Sequence, residues 1–391
     1  MRSLSLALPL LLLATPSLAQ VKCGGDFGSF VSQIKNEAMS RGYDAATVDR
    51  FFASARHDPA VIRADRAQGI FQKDFIEFSR AVISQNRIQN GAANASRQQG
   101  VFDRIEREFG VSRGVLLAFW ALETDFGQVQ GDFNTLNALM TLSHDCRRPE
   151  LFQPQVFAAL ELYRHGDFDP ADTRGAWAGE IGMVQMLPKD ILENGVDGDG
   201  DGHVRLKTSA PDALMSGAKM LRHLGWRPNE PWLQEVVVPQ GLDWSRTGLD
   251  HELPVGDWAQ LGVKPRSGSF AASNLPASLL LPMGRNGPAF LAYPNFDVFF
   301  EWNKSFVYVT TAAYFATRLE GAPVYAAGNP EPGLSGAQMK QLQQKLQARG
   351  HDVGGVDGIL GEKTREAVQK EQIRLGMPAD AWPTTTLLSR L

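Results

Sequence analysis

The stretch Leu116–Gly127, LLAFWALETDFG, decides how the rest of the chain is read. Its apolar residues recur at helical spacing, so Leu116, Trp120, Glu123 and Gly127 fall along a related side of one helix. Glu123 is the one acid on that side. A carboxyl group held beside Phe119, Trp120 and Phe126 is partly desolvated, which raises its pKa and suits it to donate a proton near neutral pH. Composition alone favours a plainer reading, a helix-end glutamate facing water or paired with a base. Asp125 points to another side of the helix and makes a poor partner for a two-carboxylate site.

The chain of 391 residues has room for two or three domains. Its formal net charge of -4 argues against a broadly basic, nucleic-acid-binding surface. Residues 1–19 carry one early charge, Arg2, then an apolar run and a small-residue end, SLA, before Gln20. That is the pattern of an export signal, and the run is too short to span a bilayer comfortably. Two cysteines follow, Cys23 and Cys146. In an exported chain they permit one disulfide, the alternative being two buried thiols.

Helical periodicity covers residues 27 to 88, then VFDRIEREFG, and returns in two patterns split by a polar turn between Phe133 and Gly166. A further helix starts near Pro211 and Asp212, and another covers SFVYVTTAAYFATRL. Between Trp232 and Leu281 the pattern changes to short strand-like pieces. Glu320–Ser335 is rich in Pro and Gly without periodicity and reads as a linker. The tail then shows two helical repeats around a glycine turn, the first opened by Ser335 and Gln338 at capping-box spacing. The expected fold is mainly α, with a small irregular β insertion and a small helical C-terminal domain.

Two more motifs carry chemistry. In AWAGEIGMVQMLPKD, Ala176–Asp190, Gly179 and Gly182 allow close backbone approach and Gln185 places an amide in an apolar setting. In DGDGDGHVRL, Asp197–Leu206, Asp197, Asp199 and Asp201 alternate like the start of an EF-hand loop, with the His203 carbonyl at the seventh position. The twelfth position is Thr208, so the usual bidentate acid is missing.

Together ALETDFG, GEIGMVQMLP and YPNFDVFFEWNKSFVY resemble the lytic murein transglycosylases of the membrane-bound lytic transglycosylase B type. The tail LQQKLQARGHDVGGVDGILGEKTREAVQKEQ resembles the common three-helix peptidoglycan-binding domain. The resemblance implies a signal peptide at 1–19, a lysozyme-like catalytic domain at 20–320, a linker at 321–333 and a wall-binding domain at 334–391. It implies non-hydrolytic cleavage of the MurNAc-β-1,4-GlcNAc bond, leaving 1,6-anhydro-MurNAc, with Glu123 as sole acid and base. Gln185, Met183, Asn303, Trp302 and Tyr308 match the substrate-binding positions, and Arg147 and Arg148 are placed to meet peptide or lactyl carboxylates. Departures from the family pattern fall at Val184, Met186, Lys189, Trp302 and Cys146. No catalytic cofactor is implied, only a structural Ca²⁺ or Na⁺ at the Asp197 loop. The implied partner is the peptidoglycan glycan strand, with no nucleic acid, and the implied location is the periplasm, free or associated with the wall. A hydrolytic muramidase and a non-catalytic wall-binding scaffold are the competing readings.

Overall fold

The computed structural model describes residues 21–67 and 73–391; the expected export signal, residues 1–19, lies outside them. Its centre is the helix Arg113–Thr124, in which Val115 to Ala121 are each at most 4% exposed. A helix apolar on all sides belongs inside a core rather than on one face of it. It runs against the helix Phe306–Leu319. The close approach needs a glycine: a Cβ on Gly114 would sit 2.7 Å from the Ala316 carbonyl oxygen.

A second core forms where the helices Phe27–Ser40, Ala45–Phe52, Thr135–His144 and Pro149–His165 meet, around Phe30, Phe51, Leu139 and Phe157. Aspartates 26, 44, 58 and 74 each begin a helix and accept a hydrogen bond from its first-turn backbone. Cys23 is joined to Cys146 by a disulfide, which fastens the first described residues to the loop between the last two of those helices.

The β insertion is a five-stranded antiparallel sheet in the order Glu252–Pro254, Pro276–Leu280, Ala289–Ala292, Leu233–Val237, Lys264–Pro265. Its own small core surrounds Trp258, whose indole N–H donates to the Ala277 carbonyl at 2.7 Å. The fold is thus predominantly helical with a small antiparallel sheet, as the sequence pattern predicts.

Three helices, Gly336–Ala348, Glu362–Arg374 and Thr385–Arg390, make the C-terminal unit, and Ser335 and Gln338 close the predicted capping box. This unit is docked, not dangling. Arg365 Nη2 donates to the Pro282 carbonyl at 2.9 Å, and the Gln369 amide donates to the Thr247 carbonyl at 2.8 Å. The Pro/Gly-rich stretch before it has no helix or strand but is also held down: Tyr325 is buried against Phe75 and Tyr314, and Trp382 Nε1 donates to the Glu331 carbonyl. No helix among the described residues is long and apolar enough to cross a membrane.

Candidate active site

Glu123 sits on the last turn of the central helix, and the reason it is special is where that helix stops. Asp125 and Phe126 both take left-handed backbone angles, φ 50° and 60°, which breaks the helix and turns the chain away. Asp125 is therefore past the helix end rather than on another side of it. Its carboxylate is engaged by Arg87, Nε to Oδ1 2.9 Å. Glu123 remains in the core end of the site with some solvent contact, so a substrate can reach it.

Two donors converge on one oxygen of Glu123. The Tyr308 hydroxyl donates to Oε1 at 2.5 Å and the Trp302 indole N–H donates to the same atom at 3.2 Å. Both come from the other side of the core. Trp302 ends the helix Asn295–Trp302 and stacks on Phe119, ring centres 4.3 Å apart, while Tyr308 lies in the first turn of Phe306–Leu319. Burial pushes the Glu123 pKa above the ordinary carboxyl value, and the two hydrogen bonds pull partly against it. Burial, followed by the charge of Glu123, pushes the Tyr308 phenol well up, so it stays a donor. Trp302 thus presents an indole N–H aimed at the carboxyl.

The glycine-punctuated loop forms the adjoining wall. Ile181 and Met186 pair their backbones in both directions, 2.8 and 3.1 Å, closing a tight hairpin-like turn. Gly182 at φ 81° cannot be replaced freely, because a Cβ there would meet Leu206 backbone and side chain within 2.6 Å. The loop is tied to the glutamate helix by Thr124, whose hydroxyl donates to the Met183 carbonyl at 2.6 Å. The Met183 side chain lies against Gly127. Gln185, left-handed at φ 55°, donates its amide to the Gly182 carbonyl at 2.8 Å, so it braces the loop from within. Val184 is fully buried against Gly217, which has no side chain to oppose it, and Lys189 turns outward to Glu193 at 2.7 Å. Neither departure from the family pattern disturbs the loop.

Other sequence candidates lie in different surroundings. Asn303 caps the helix Asn295–Trp302, and its Oδ1 accepts from the Ser305 backbone at 2.9 Å. Arg147 and Arg148 both engage Asp65, whose side chain is fully buried; Arg148 Nη2 is 2.7 Å from Asp65 Oδ1. The two guanidinium groups thus share one buried carboxylate while staying partly exposed to solvent. Neither Asp65 nor this pairing was legible from the motif DCRRP.

In the acidic loop, Asp197 and Asp199 are joined by Asp212 rather than by Asp201: ligand atoms of these three lie within 4.8 Å of one another. Asp201 instead accepts from the His203 backbone at 2.8 Å and from Arg205, and the His203 ring meets Asp167 at 2.8 Å. Asp212 is fully buried and accepts from the backbones of Gly198, Asp199 and Arg205. It follows the loop's end by four residues, beyond the window in which an EF-hand reading looks for its last acid. Hard carboxylate oxygens gathered this closely suit Ca²⁺.

Comparison with known proteins places this geometry. Residues 26–317 match the family described as the transglycosylase SLT domain, and residues 335–391 match the peptidoglycan-binding domain described as putative. The chain is 35% identical to SltB3 of Pseudomonas aeruginosa, solved in complex with NAG-anhNAM-pentapeptide, over 94% of this chain and 99% of that one, with a TM-score of 0.85. It is 25% identical over 311 residues to the membrane-bound lytic murein transglycosylase B of Escherichia coli (strain K12), covering 75% of this chain and 84% of that protein. The E. coli lytic transglycosylase Slt35, solved in complex with calcium, shares the fold at a TM-score of 0.64 and 23% identity, over 79% of this chain and 98% of that one. A half-buried, hydrogen-bonded glutamate at the end of a core helix, on a chain matched to the family over most of its length, leads to one conclusion: this chain belongs to the transglycosylase SLT domain family and is a peptidoglycan lytic transglycosylase.

Proposed function

We propose that the enzyme cleaves the MurNAc-β-1,4-GlcNAc bond of peptidoglycan and leaves a 1,6-anhydro-MurNAc end, with Glu123 as both acid and base. The observation that carries this reading is the Glu123 carboxyl itself, desolvated and held by two donors. Desolvation keeps it protonated closer to neutrality than a free glutamate, as the first step requires. Its proton passes to the glycosidic oxygen as the C1–O bond breaks and the GlcNAc hydroxyl leaves. Tyr308 and Trp302 then stabilise the carboxylate that remains. The C6 hydroxyl of MurNAc attacks C1 from within the same sugar, forming the new C–O bond and returning its proton to Glu123. The nucleophile is already tethered beside the reacting carbon, so proximity replaces an activated water. SltB3, as the complex with NAG-anhNAM-pentapeptide has it, holds a ligand with that anhydro end.

The competing muramidase needs a base to activate water. Glu180 is the carboxyl electrostatically coupled to Glu123, and its Oε2 is out of solvent contact. Mass spectrometry of products separates the two chemistries, because anhydro-muropeptides are lighter than reducing ends by one water. A folded E123Q protein is expected to release no muropeptide from purified sacculi. Sustained release by that variant would remove Glu123 from the mechanism.

Residues 1–19 are proposed to export the chain to the periplasm, and residues 20–320 to form the catalytic domain. Residues 321–333 would connect it to a wall-binding domain, residues 334–391, that raises the enzyme's local concentration on the insoluble polymer. Gln185 and Asn303 would act mainly by holding the walls of the site, with Met183, Trp302 and Tyr308 meeting the sugar or the carboxyl. Asp197, Asp199 and Asp212 would hold a structural Ca²⁺ or Na⁺, remote in role from the proton transfer.

A further inference from the structure

Both donors to the Glu123 carboxyl come from one short segment, Trp302 to Tyr308. Its backbone is folded on itself. Asn303 Oδ1 accepts from the Ser305 N–H at 2.9 Å, and the Ser305 hydroxyl accepts from the Tyr308 N–H at 3.4 Å as the cap of the helix Phe306–Leu319. Where the Tyr308 phenol points is therefore set by how the first turn of that helix is seated. Residues two apart on a helix leave it on nearly opposite sides. Tyr308 reaches Glu123, while Phe306, the first residue of the helix, is buried against a different part of the molecule.

What Phe306 meets is the C-terminal unit. The Arg365 guanidinium, from the helix Glu362–Arg374, lies over its ring at 4.3 Å from the centroid and stands 5.9 Å from the Trp382 ring. Its Nη2 donates to the Pro282 carbonyl at 2.9 Å, which holds the guanidinium from the side of the catalytic body. Trp382 is buried in the same core as Tyr308, and Leu360 packs against that core. Arg365 is itself buried; burial pulls its pKa from 12.5 to about 10, so it remains a cation at neutral pH. Among the described residues Glu362 and Asp380 are the carboxylates that act on it, neither close enough for an ion pair, and its Nε has no hydrogen-bond partner. A buried charge held this way is expensive, and an apolar side chain of similar size would seat the unit at least as well. Its use lies in what it touches.

We propose that Arg365 is a positioning residue for catalysis: it clamps Phe306, fixes the first turn of the helix Phe306–Leu319 and so keeps the Tyr308 hydroxyl on Glu123. The path is two direct contacts joined by one turn of helix, Arg365 on Phe306 and Tyr308 on Glu123. A cation over a ring face suits this task, because the attraction depends on the plane of the ring as well as its distance. The C-terminal unit thus has a part in the chemistry that is separate from any hold on the wall.

Soluble, peptide-bearing glycan oligomers serve as substrate in the test, so that anchoring to an insoluble wall plays no part. Full-length wild type, R365M, R365K, Y308F, R365M/Y308F and E123Q are compared, with thermal melting as the check on folding and docking. R365M keeps the length and packing of the side chain and removes the cation. Its kcat should fall about tenfold, with KM within about twofold of wild type. R365K keeps a cation over the ring and should recover part of the loss. On Y308F, whose hydroxyl is already gone, R365M should cost about twofold or less. A purely structural anchor would lower the melting temperature and leave the kcat of the folded protein unchanged. A folded R365M with the wild-type kcat, docked or undocked, therefore overturns the proposal, and so does a loss that multiplies in full with that of Y308F. The inference rests on Glu123 as the acid. Activity in E123Q would remove that assignment, whereas an inactive E123Q beside an unaffected R365M removes only the role of Arg365.

Discussion

At the scale of single residues, the chemistry depends on how one carboxyl is solvated. Glu123 could be nominated from its apolar surroundings in LLAFWALETDFG, but not its partners, which arrive 179 and 185 residues later in sequence. Their effect can be measured. Y308F deletes the stronger donor to Glu123, and a hydrogen bond to a charged group is worth roughly 1.5–3 kcal/mol. The carboxylate left after the first proton transfer loses that support, so the rate should fall about 10- to 100-fold. The same bond holds the Glu123 pKa down. Its removal should therefore move the alkaline limb of the pH–rate profile, where the acid has lost its proton, to higher pH. A Y308F profile with unchanged limb and rate would show that the bond plays no part.

At the scale of elements, the site is built from ends: the end of the central helix, the end of Asn295–Trp302, the start of Phe306–Leu319 and a glycine loop. Helices were legible because periodicity and caps are local, and the N-terminal aspartates that begin four of them mark the chain plainly. The left-handed stop at Asp125 and Phe126 was not, because neither residue is a glycine and tertiary contacts, including Arg87, select it. The acidic loop shows the same limit. Asp197, Asp199 and Asp201 were visible as alternation, but the acid that closes the cluster, Asp212, is supplied by the next helix, Ala210–His223. Millimolar Ca²⁺ is expected to raise the melting temperature and a chelator to reverse it. Binding at a hundredfold excess over Kd would add about 2.7 kcal/mol. D199A should lose the calcium-dependent part while keeping muropeptide release. No calcium-dependent shift in the wild type would leave the loop as a turn held by its own backbone.

At the scale of the whole molecule, the C-terminal unit is fastened to the catalytic body rather than tethered by a free linker. The contact buries Glu362 and Arg365 beside Asp250 and Glu366. Burial pushes the Glu362 pKa from its ordinary 4.5 to about 7, with Arg365 pulling the other way. A carboxyl whose pKa is raised on docking favours the docked state while protonated. That contribution is present in full below pH about 4.5, shrinks as pH rises through about 7 and is gone above it. Docking should therefore be weaker at pH 8 than at pH 5, read as an earlier melting transition or greater protease access near Tyr325. E362Q should abolish that dependence. Equal docking at both pH values in the wild type would place Glu362 outside the linkage.

The helical class, the small strand region, the capping box of the tail and the single glutamate worth pursuing were all legible in the chain before it folds. All of these rest on patterns that repeat within a few residues, which hydrophobic spacing and local hydrogen bonding express directly. Which groups face Glu123, that Arg147 and Arg148 share the buried Asp65, and that Asp212 completes the acidic cluster appear only once the chain has folded. Those are relations between side chains far apart in the chain. Their energies come from desolvation and charge at short range, and neither exists until the core has closed around them.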